Sequence, residues 1–402
     1  MIADLDTLME DRGIAAVIVP LHEAMHAAFR WISRGAKVTR GYAIKPLRED
    51  PFLVCYPMER DEAAATGLET RSIHDFDYNS LFQREATLAR GYAAFFSEVL
   101  NSIGVSGTIA FVGNLPVHLY IDVVKEMEAS GWRIFRGGGD DLIQLARKRK
   151  DTLELDCIRS VGSRTEDVVD SLRALLRECR VSRGRVARNG KPVLIGDLKS
   201  LVTMEIARLG LIEDHETILS QGRDAAIPHS RGTASDEVRP SVPIVIDIFP
   251  RDRDSGYFFD FTRTFCLGDV PDDVTEIHGH VLRAFTLAAR DMKAGARASE
   301  SQRLVCDYFE KNGFSTTRSS PSTLEGYVHG LGHGVGLDVH ERPSFGLSGA
   351  NHDLIEIGDV LTIEPGLYFP DREIGVRIED TFVIDGNGRA LTLCRSDYGL
   401  TP

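Results

Sequence analysis

The sequence predicts two domains, the first built from alternating strands and helices and the second from paired strands, long helices and further strands. Three observations predict this division. The chain has 402 residues, which corresponds to two or three domains at roughly 100–200 residues each. Strand-like and helical segments alternate over about the first 145 residues. The composition then changes abruptly to a charged stretch, so we place the boundary between residues 1–148 and 149–402.

The first domain is predicted to be α/β, with a sheet of its own. Short continuous apolar runs predict buried strands, and apolar residues at helical spacing predict amphipathic helices. The predicted helices are 4–12, 87–103 and 117–130, and the predicted strands are 14–20, 51–57 and 108–112. Strands separated by helices in this way are typical of an α/β sheet.

The second domain begins with a predicted helix and ends in glycine-rich turns and strands. The further predicted helices are 273–293 and 299–312, and the predicted strands are 242–249, 256–266, 360–363, 376–378 and 381–384. Residues 146–179 have helical periodicity, and we interpret their basic start as a solvated helix face. Acidic and histidine residues cluster at the ends of the strands, so we expect the chemistry there.

Charge and composition exclude several classes of protein. The chain has 47 Lys and Arg against 60 Asp and Glu, a net charge of −13, which gives no broad basic surface for nucleic acid or anionic membranes. Its apolar runs are far shorter than the roughly 18–20 residues that span a bilayer. The acidic N-terminus lacks the features of a signal peptide. The 6 cysteines form no C-x-x-C pair, which favours reduced thiols in a cytoplasmic protein.

Five acidic and histidine side chains stand out in the second domain. They are Asp247, Asp260, His333, Glu364 and Glu379. Carboxylates and imidazole are suitable ligands for Mn²⁺, Co²⁺, Fe²⁺ or Zn²⁺. Four carboxylates held close together would repel each other unless cations neutralise them. The set therefore predicts a site for divalent metal ions.

Each of these residues alone has an ordinary structural explanation. An Asp at a strand end is commonly a turn residue, and His333 alone could be a histidine in a glycine turn. Asp247 is harder to explain in this way, because it follows an apolar run and a buried carboxylate without a partner is costly. The combination of the five is far more specific than any one of them.

In order and in local context, these five residues resemble the site of the pita-bread metallopeptidases, the group that holds methionine aminopeptidase, prolidase and aminopeptidase P. The match covers roughly residues 150–400. The resemblance implies an α/β creatinase-like N-terminal domain followed by an α+β pita-bread (creatinase/aminopeptidase) catalytic domain. It also implies two bound divalent metal ions, with Mn favoured and Co or Zn as alternatives.

The resemblance also implies a role for each ligand. Asp247 and Asp260 would be the first ligands, Asp260 and Glu379 would bridge both ions, and His333 and Glu364 would complete the site on one ion. A hydroxide bridging the ions would attack the scissile carbonyl. Glu364 would be catalytic as well, taking a proton and returning it to the leaving nitrogen.

Three further histidines and two arginines belong to the same expected site. His229, His329 and His340 are similar to family histidines that contact substrate and polarise the scissile carbonyl, although each alone is explained as a loop, turn or edge residue. Arg263 and Arg377 are interpreted as holding the ligating carboxylates, with substrate clamps as the alternative.

The glycine-rich stretch 329–340 is expected to need glycine for close backbone approach around a ligand or for positive φ. A phosphate-binding loop would be the competing explanation of such a run. The stretch lacks the Lys-Ser/Thr ending and the following helix that a phosphate loop requires.

Two motifs narrow the resemblance to enzymes that cleave Xaa-Pro bonds. They are D-F-T-R-T at residues 260–264 and V-R-I-E-D at residues 376–380. The expected function is hydrolysis of the Xaa-Pro bond at the N-terminus of dipeptides or short peptides, by a homodimer. The alternatives are a creatinase-like hydrolase or a metal-dependent lyase of a small amine-bearing acid on the same fold, and a non-catalytic binding protein.

The first departure from the family pattern concerns the spacing of two ligands. Asp247 and Asp260 are 13 residues apart, more than the resemblance implies. The excess falls in residues 250–256, which we interpret as an enlarged hairpin turn. Asp252 and Asp254 are expected to be solvated turn residues.

The second departure concerns the substrate's carboxylate. Microbial prolidases can carry an arginine just after the proline that follows the His340 motif, suited to a dipeptide's C-terminal carboxylate. Ser344 occupies that position here, and Arg342 lies two residues earlier. The choice between a dipeptidase and an aminopeptidase therefore stays open.

Overall fold

The computed structural model describes residues 2–137 and 141–402. The chain divides into two compact units, Met1–Arg147 and Lys148–Pro402. No helix in the described ranges is both long and apolar enough to cross a membrane.

The first unit alternates helices and strands. Its helices are α1 (Ile2–Asp11), α2 (Ala27–Ile32), α3 (Arg60–Ala64), α4 (Tyr78–Arg84), α5 (Leu88–Ser102), α6 (Val117–Ala129) and α7 (Leu142–Ala146). Its strands are β1 (Ile14–His22), β2 (Arg40–Pro46), β3 (Phe52–Cys55), β4 (Glu69–Ser72), β5 (Thr108–Phe111) and β6 (Arg133–Ile134). The strands form one mixed sheet in the order β4-β3-β2-β1-β5-β6, which confirms the α/β prediction.

Both faces of this sheet are buried. Along β1, Val17 and Val19 belong to one apolar cluster, whereas Ala16 and Ile18 belong to another. Since successive side chains of a strand point to opposite faces, the two clusters lie on opposite sides of the sheet. This explains why residues 14–20 read as a continuous apolar run rather than an alternating one.

The second unit contains long helices and several small sheets. Its helices are α8 (Thr152–Glu178), α9 (Ile195–Arg208), α10 (Asp272–Asp291) and α11 (Ala298–Lys311). Its first strands are β7 (Arg180–Ser182), β8 (Arg185–Arg188), β9 (Lys191–Pro192), β10 (Leu211–Ile212), β11 (Ile218–Gln221), β12 (Pro243–Ile248), β13 (Arg251–Asp252) and β14 (Phe261–Cys266). Its later strands are β15 (His333–Gly334), β16 (Glu341–Ser344), β17 (Val360–Ile363), β18 (Gly366–Phe369), β19 (Ile374–Arg377), β20 (Asp380–Ile384) and β21 (Ala390–Thr392).

Two of these sheets carry the predicted ligands. One is antiparallel with the order β11-β12-β14, and the other has the order β16-β15-β17-β20-β21. An isolated bridge between Thr262 and Glu379 links β14 to the segment just before β20. Side chains of α10 and α11, such as Phe285 and Phe309, share one buried apolar cluster with strand residues such as Leu361.

The basic residues before α8, the first helix of the second unit, do not form the solvated helix face that was predicted. The helix begins only at Thr152, because the Asp151 side chain accepts a hydrogen bond from the Glu154 N–H and caps it. The lysines before it are not solvated. Lys148 lies 3.4 Å from Asp359, and Lys150 lies 2.8 Å from Glu341 with both side chains no more than 2% exposed. These residues neutralise buried carboxylates of the second unit.

The segment between the two ligand-bearing strands also differs from its prediction. Strand β14 begins at Phe261 instead of residue 256. The preceding loop contains β13, which pairs with β10 rather than forming a simple turn. Asp252 is half-buried and lies 2.8 Å from Arg164, so the prediction that it is solvated was wrong.

Candidate metal centre

One cavity of about 480 Å³ in the second unit gathers nearly all the predicted site residues. Its walls include the five predicted ligands together with His229, His329, His340 and Arg377. Arg263 is the predicted site residue that does not line it.

The sheet register places three of these residues in one row. Asp247 on β12 is paired with Thr262 on β14, and Thr262 is bridged to Glu379. The Thr262 hydroxyl donates a hydrogen bond of 2.7 Å to Glu379 Oε2. Asp260 lies two residues before Thr262 and therefore on the same face. Strand pairing thus aligns three carboxylates that are far apart in sequence.

His333 and Glu364 approach this row from the second sheet. The His333 N–H donates to the Thr362 hydroxyl, and the Glu364 N–H donates to the Leu331 carbonyl. His333 Nδ1 lies 3.1 Å from the Gly334 carbonyl, so it carries the proton there. The other nitrogen, Nε2, lies 3.5 Å from Glu364 Oε1 and 3.7 Å from Asp260 Oδ2. The imidazole lone pair therefore points at the carboxylates, as a metal ligand requires.

Glycines make this close packing possible. A Cβ on Gly332 would lie 2.2 Å from the Thr362 carbonyl oxygen, and one on Gly334 would lie 2.0 Å from the Arg342 carbonyl oxygen. Neither residue has positive φ. Glycine was expected here either for close backbone approach around a ligand or for positive φ. At both positions the reason is close approach, and the neighbouring group is backbone of this protein rather than a ligand.

The donor set fits a metal ion. Asp260, His333 and Glu379 each offer a ligand atom, and these atoms lie within 4.8 Å of one another. Asp247 Oδ1 and Glu379 Oε1 are buried and have no hydrogen-bond partner among the described residues. Buried carboxylate oxygens without partners are costly, so each has the unfilled coordination that a cation would satisfy.

The carboxylates also destabilise one another when ionised. Burial, followed by the charges of Asp247 and Glu364, raises the pKa of Asp260 well above its ordinary value. Burial, followed by Asp260 and Glu364, does the same to the pKa of Glu379. Burial raises the pKa of Glu364 to about 8 despite the opposing charge of Arg377. Divalent cations would remove this penalty.

A buried chain of hydrogen bonds runs behind the row. Arg377 on β19 donates to Asp247 Oδ2, to the Tyr368 hydroxyl at 2.8 Å and to the Pro228 carbonyl at 3.3 Å. The Tyr368 hydroxyl lies 2.8 Å from His329 Nε2. Arg377 thus holds a predicted ligand as expected, and it is joined through Tyr368 to a predicted catalytic histidine.

His329 is more fully engaged than its prediction implied. Its Nδ1 lies 2.7 Å from the Gly330 carbonyl, which can only accept, so Nδ1 carries the proton and Nε2 accepts from Tyr368. Burial, followed by the Arg377 charge, lowers the pKa of His329 to about 3. Both ring nitrogens of His329 are therefore used within the protein, and its contact with a substrate stays a prediction.

The other two predicted histidines face the cavity. The His340 ring packs edge-on against His333, with centroids 4.3 Å apart. Burial, followed by the charge of His229, lowers the pKa of His340. Burial, followed by the charge of His340, lowers the pKa of His333 to about 3. His333 is therefore neutral, which is the form that binds metal.

Arg263 has a different role from the one expected. Its guanidinium donates to Asp380 Oδ1 at 2.8 Å and to the backbone carbonyl of Glu379 at 2.8 Å. It contacts none of the five ligand carboxylates. By binding the Asp380 side chain and the Glu379 carbonyl, it supports the segment to which Glu379 belongs.

Three side chains at or behind the cavity were missed in the sequence. Thr262 lies two residues after Asp260, so strand alternation could have found it. Tyr368 lies on β18, the short strand after Glu364. Nothing in the sequence indicates that its hydroxyl makes polar contacts at this site. His215 also lines the cavity, and it lies in an acidic stretch with no distinguishing pattern.

Arg342, the arginine two residues before the position where microbial prolidases can bind a substrate carboxylate, does not line the cavity. Arg342 Nη1 is paired with Asp353, and Arg342 is not among the cavity-lining residues. Asp353 also accepts from the Ser344 N–H at 2.7 Å. This pairing anchors the strand that follows His340.

Comparison with known proteins identifies the family. Residues 156–386 match metallopeptidase family M24. An Xaa-Pro dipeptidase of Pyrococcus furiosus is 35% identical over 174 residues, which cover 43% of this chain and 45% of that protein. The chain spans about half the length of the curated relatives it matches.

Solved structures show the same fold over the whole chain. An Xaa-Pro dipeptidase from Bacillus anthracis has a TM-score of 0.77 at 20% identity, covering 100% of this chain and 98% of that one. An X-Pro aminopeptidase from Thermotoga maritima has a TM-score of 0.74 at 21% identity, covering 98% of both chains. The predicted fold class, a creatinase-like α/β domain followed by a pita-bread domain, is thereby confirmed. The chain belongs to metallopeptidase family M24.

Proposed function

We propose that the protein is a metal-dependent exopeptidase that hydrolyses the Xaa-Pro bond at the N-terminus of dipeptides or short peptides. The observation that carries this proposal is the row of buried carboxylates in the cavity. Asp260, Glu364 and Glu379 have raised pKa values through burial and mutual repulsion, and Glu379 Oε1 has no partner among the described residues. A protein would not keep such a costly arrangement for its fold alone.

The five side chains Asp247, Asp260, His333, Glu364 and Glu379 would hold two divalent ions, with Mn as the first choice and Co or Zn as alternatives. When bound, such ions polarise a carbonyl and make water acidic enough to act as a nucleophile near neutral pH. Arg377 fixes one oxygen of Asp247 and leaves Oδ1 free to bind. Thr262 orients Glu379 in the same way through Oε2.

Glu364 is the residue proposed to move the proton. Its Oε1 lies 3.5 Å from His333 Nε2, and Glu364 lines the cavity in which the scissile bond would lie. It would take a proton from the attacking water and return it to the leaving nitrogen, which in an Xaa-Pro peptide has no hydrogen of its own.

The histidines divide into two roles. His229 and His340 line the cavity and would contact the substrate around the scissile carbonyl. His329 would act through its neighbours, because Tyr368 and Gly330 occupy its ring nitrogens. A peptide's free amino group would be attracted by the carboxylates of the cavity, which favours cleavage at the N-terminus.

The setting of the enzyme is also proposed. Six free thiols fit a reducing compartment, so we place the protein in the cytoplasm. We infer a homodimer, and sedimentation of the purified protein tests that inference.

The test is peptide cleavage after metal exchange. The protein is stripped with a chelator, reloaded with Mn²⁺ or Co²⁺, and assayed for proline release from Ala-Pro and cleavage of Ala-Pro-Ala, with Glu379→Ala as the blank. We expect activity to return with metal and to be absent from the blank. If neither peptide is cleaved although metal binds, the proposal fails, and a creatinase-like hydrolase or a lyase of a small amine-bearing acid takes its place.

A further inference from the structure

The cavity holds more negative groups than cations. Its lining residues in the described part of the chain include four carboxylates from the predicted ligand set, and its two arginines are Arg231 and Arg377. Among the lining side chains, these two arginines are therefore the candidates for binding a substrate group with a negative charge.

Arg377 has little capacity left for a substrate. Its side chain is 3% exposed, and its nitrogens donate to Asp247, Tyr368 and the Pro228 carbonyl, with Nε 3.4 Å from the Thr262 hydroxyl. Four acceptors already surround a group that has five N–H bonds. It is a structural cation of the carboxylate row.

Arg231 is in the opposite situation. Its side chain is 59% exposed, and its ionic partner Glu216 lies 3.6 Å away, longer than a hydrogen bond. Glu216 already has a closer partner, since Lys199 Nζ donates to it at 2.6 Å. The guanidinium of Arg231 is therefore available at the solvent side of the cavity.

The backbone fixes this position. Gly232, the next residue, has φ +77°, and a Cβ there would lie 2.4 Å from the Leu219 carbonyl oxygen on β11. The loop therefore packs directly against β11, in which Ile218 is paired with Asp247. Arg231 lines the same cavity as the ligand row, and a side chain at position 232 would force this loop away from β11.

We propose that Arg231 binds the α-carboxylate of the residue on the C-terminal side of the scissile bond, which makes this protein a dipeptidase. This inference rests on the proposed function and specifies its substrate. A guanidinium can hold a carboxylate through two parallel hydrogen bonds. In a dipeptide that carboxylate is one residue from the scissile bond, whereas a longer peptide presents a neutral amide at the same place.

The experiment compares the metal-loaded wild type with Arg231→Met on Ala-Pro and on its amide, Ala-Pro-NH₂. Arg231→Met is expected to raise KM for Ala-Pro about ten- to a hundredfold, as loss of a charged hydrogen-bonded contact does. The kcat is expected to change little, because the contact is the same before and during the reaction. The amide, which lacks the charge, should be a poorer substrate of the wild type by a similar factor and should show no further loss in the variant.

Two variants serve as controls. Arg223→Met removes an arginine of matched exposure, 60%, whose ionic partner Asp371 lies 3.7 Å away and which does not line the cavity. It should leave KM for both substrates unchanged. Arg231→Lys keeps the charge without the two-pronged geometry and should recover part of the lost affinity.

The outcomes separate this inference from the proposed function. Equal loss on Ala-Pro and on the amide, or no loss on either, would overturn the role of Arg231 while leaving the peptidase in place. A wild type that prefers the amide or Ala-Pro-Ala over Ala-Pro would overturn it as well. A wild type that cleaves no Xaa-Pro substrate with any metal would overturn the proposed function and this inference together.

Discussion

Glu379 and Asp380 are consecutive carboxylates with nearly the same burial, 1% and 0% exposed, and opposite surroundings. Asp380 accepts hydrogen bonds from Arg263 at 2.8 Å, from Tyr398 at 2.7 Å and from Thr392 at 3.1 Å. Glu379 accepts one from Thr262, and its second oxygen has no partner among the described residues. Because strand neighbours face opposite ways, one carboxylate enters the scaffold and the other enters the cavity.

This contrast distinguishes structural from functional charges. Buried carboxylates that serve the fold are neutralised by the protein itself, as Lys150 neutralises Glu341 at 2.8 Å. In the cavity, Arg377 neutralises Asp247, whereas Asp260, Glu364 and Glu379 repel one another and leave their neutralisation to something that binds. The following predictions test that distinction, from the largest expected effect to the smallest.

Glu379→Gln should abolish activity without harming the fold. Loss of a carboxylate shared by the metal site removes several kcal/mol of transition-state stabilisation, about a thousandfold in rate. The metal-free variant should be at least as stable as the metal-free wild type at neutral pH, because a group with a raised pKa has been replaced by a neutral one. The value of kcat/KM measures the first effect and urea unfolding the second, and metal content shows whether the site still binds. A strongly destabilised variant would contradict the contrast with Asp380.

Asp380→Asn should destabilise the fold and leave metal binding intact. It leaves the buried guanidinium of Arg263, 1% exposed, without its charged partner. Removing one member of a buried ion pair costs about 3–5 kcal/mol. Urea unfolding of the metal-free protein should show this loss, whereas the metal bound by the folded fraction should match the wild type. An equal loss of metal and stability would show that the two carboxylates are not functionally distinct.

The metal-free protein should lose stability as the pH rises. Glu364 has a pKa raised to about 8 by burial, whereas its ordinary value is 4.5. Such a group binds its proton more tightly when folded, so its stabilising contribution is complete below pH 4.5 and is lost as the pH approaches 8. The slope is about 1.4 kcal/mol per pH unit for each such group. Urea unfolding from pH 5 to pH 8 measures it, and Glu364→Gln should flatten the curve.

Sequence reasoning selected five side chains that the structure brings into one cavity, because each lies at a strand end or in a glycine turn, in contexts that resemble a known family. Their role as metal ligands stays a prediction. Sequence reasoning could not see Tyr368, because the contacts of its hydroxyl with Arg377 and His329 depend on how three separate segments pack. It misjudged Lys148 and Lys150 for the same reason. Basic residues before a helix are typical of solvated surface, and only the tertiary structure brings Asp359 and Glu341 to them.

Arg263 shows most clearly what the sequence could not predict. Two arginines close to the ligands in sequence were given the same role, yet Arg377 reaches Asp247 whereas Arg263 reaches Asp380. Each lies within two or three residues of a ligand, and the side of the strand on which the guanidinium emerges decides which carboxylate it meets. Strand alternation predicts the face on which each arginine emerges. Because both faces are buried, the sequence does not show which carboxylate lies there.

The smallest predicted effect concerns the one side-chain donor that Glu379 keeps among the described residues. Thr262→Val removes the hydroxyl that donates to Glu379 Oε2 at 2.7 Å and keeps the shape of the side chain. Loss of a hydrogen bond that orients a metal ligand lowers metal affinity or activity by about ten- to a hundredfold, and the lower figure is expected here because strand pairing still holds Glu379 in place. Thr262→Ser retains the hydroxyl and should stay close to the wild type, which separates the hydrogen bond from packing. Metal titration of both variants measures the difference. If valine and serine behave alike, Glu379 is oriented by its backbone bridge alone, and its side chain is even less supported by the protein than the contrast with Asp380 implies.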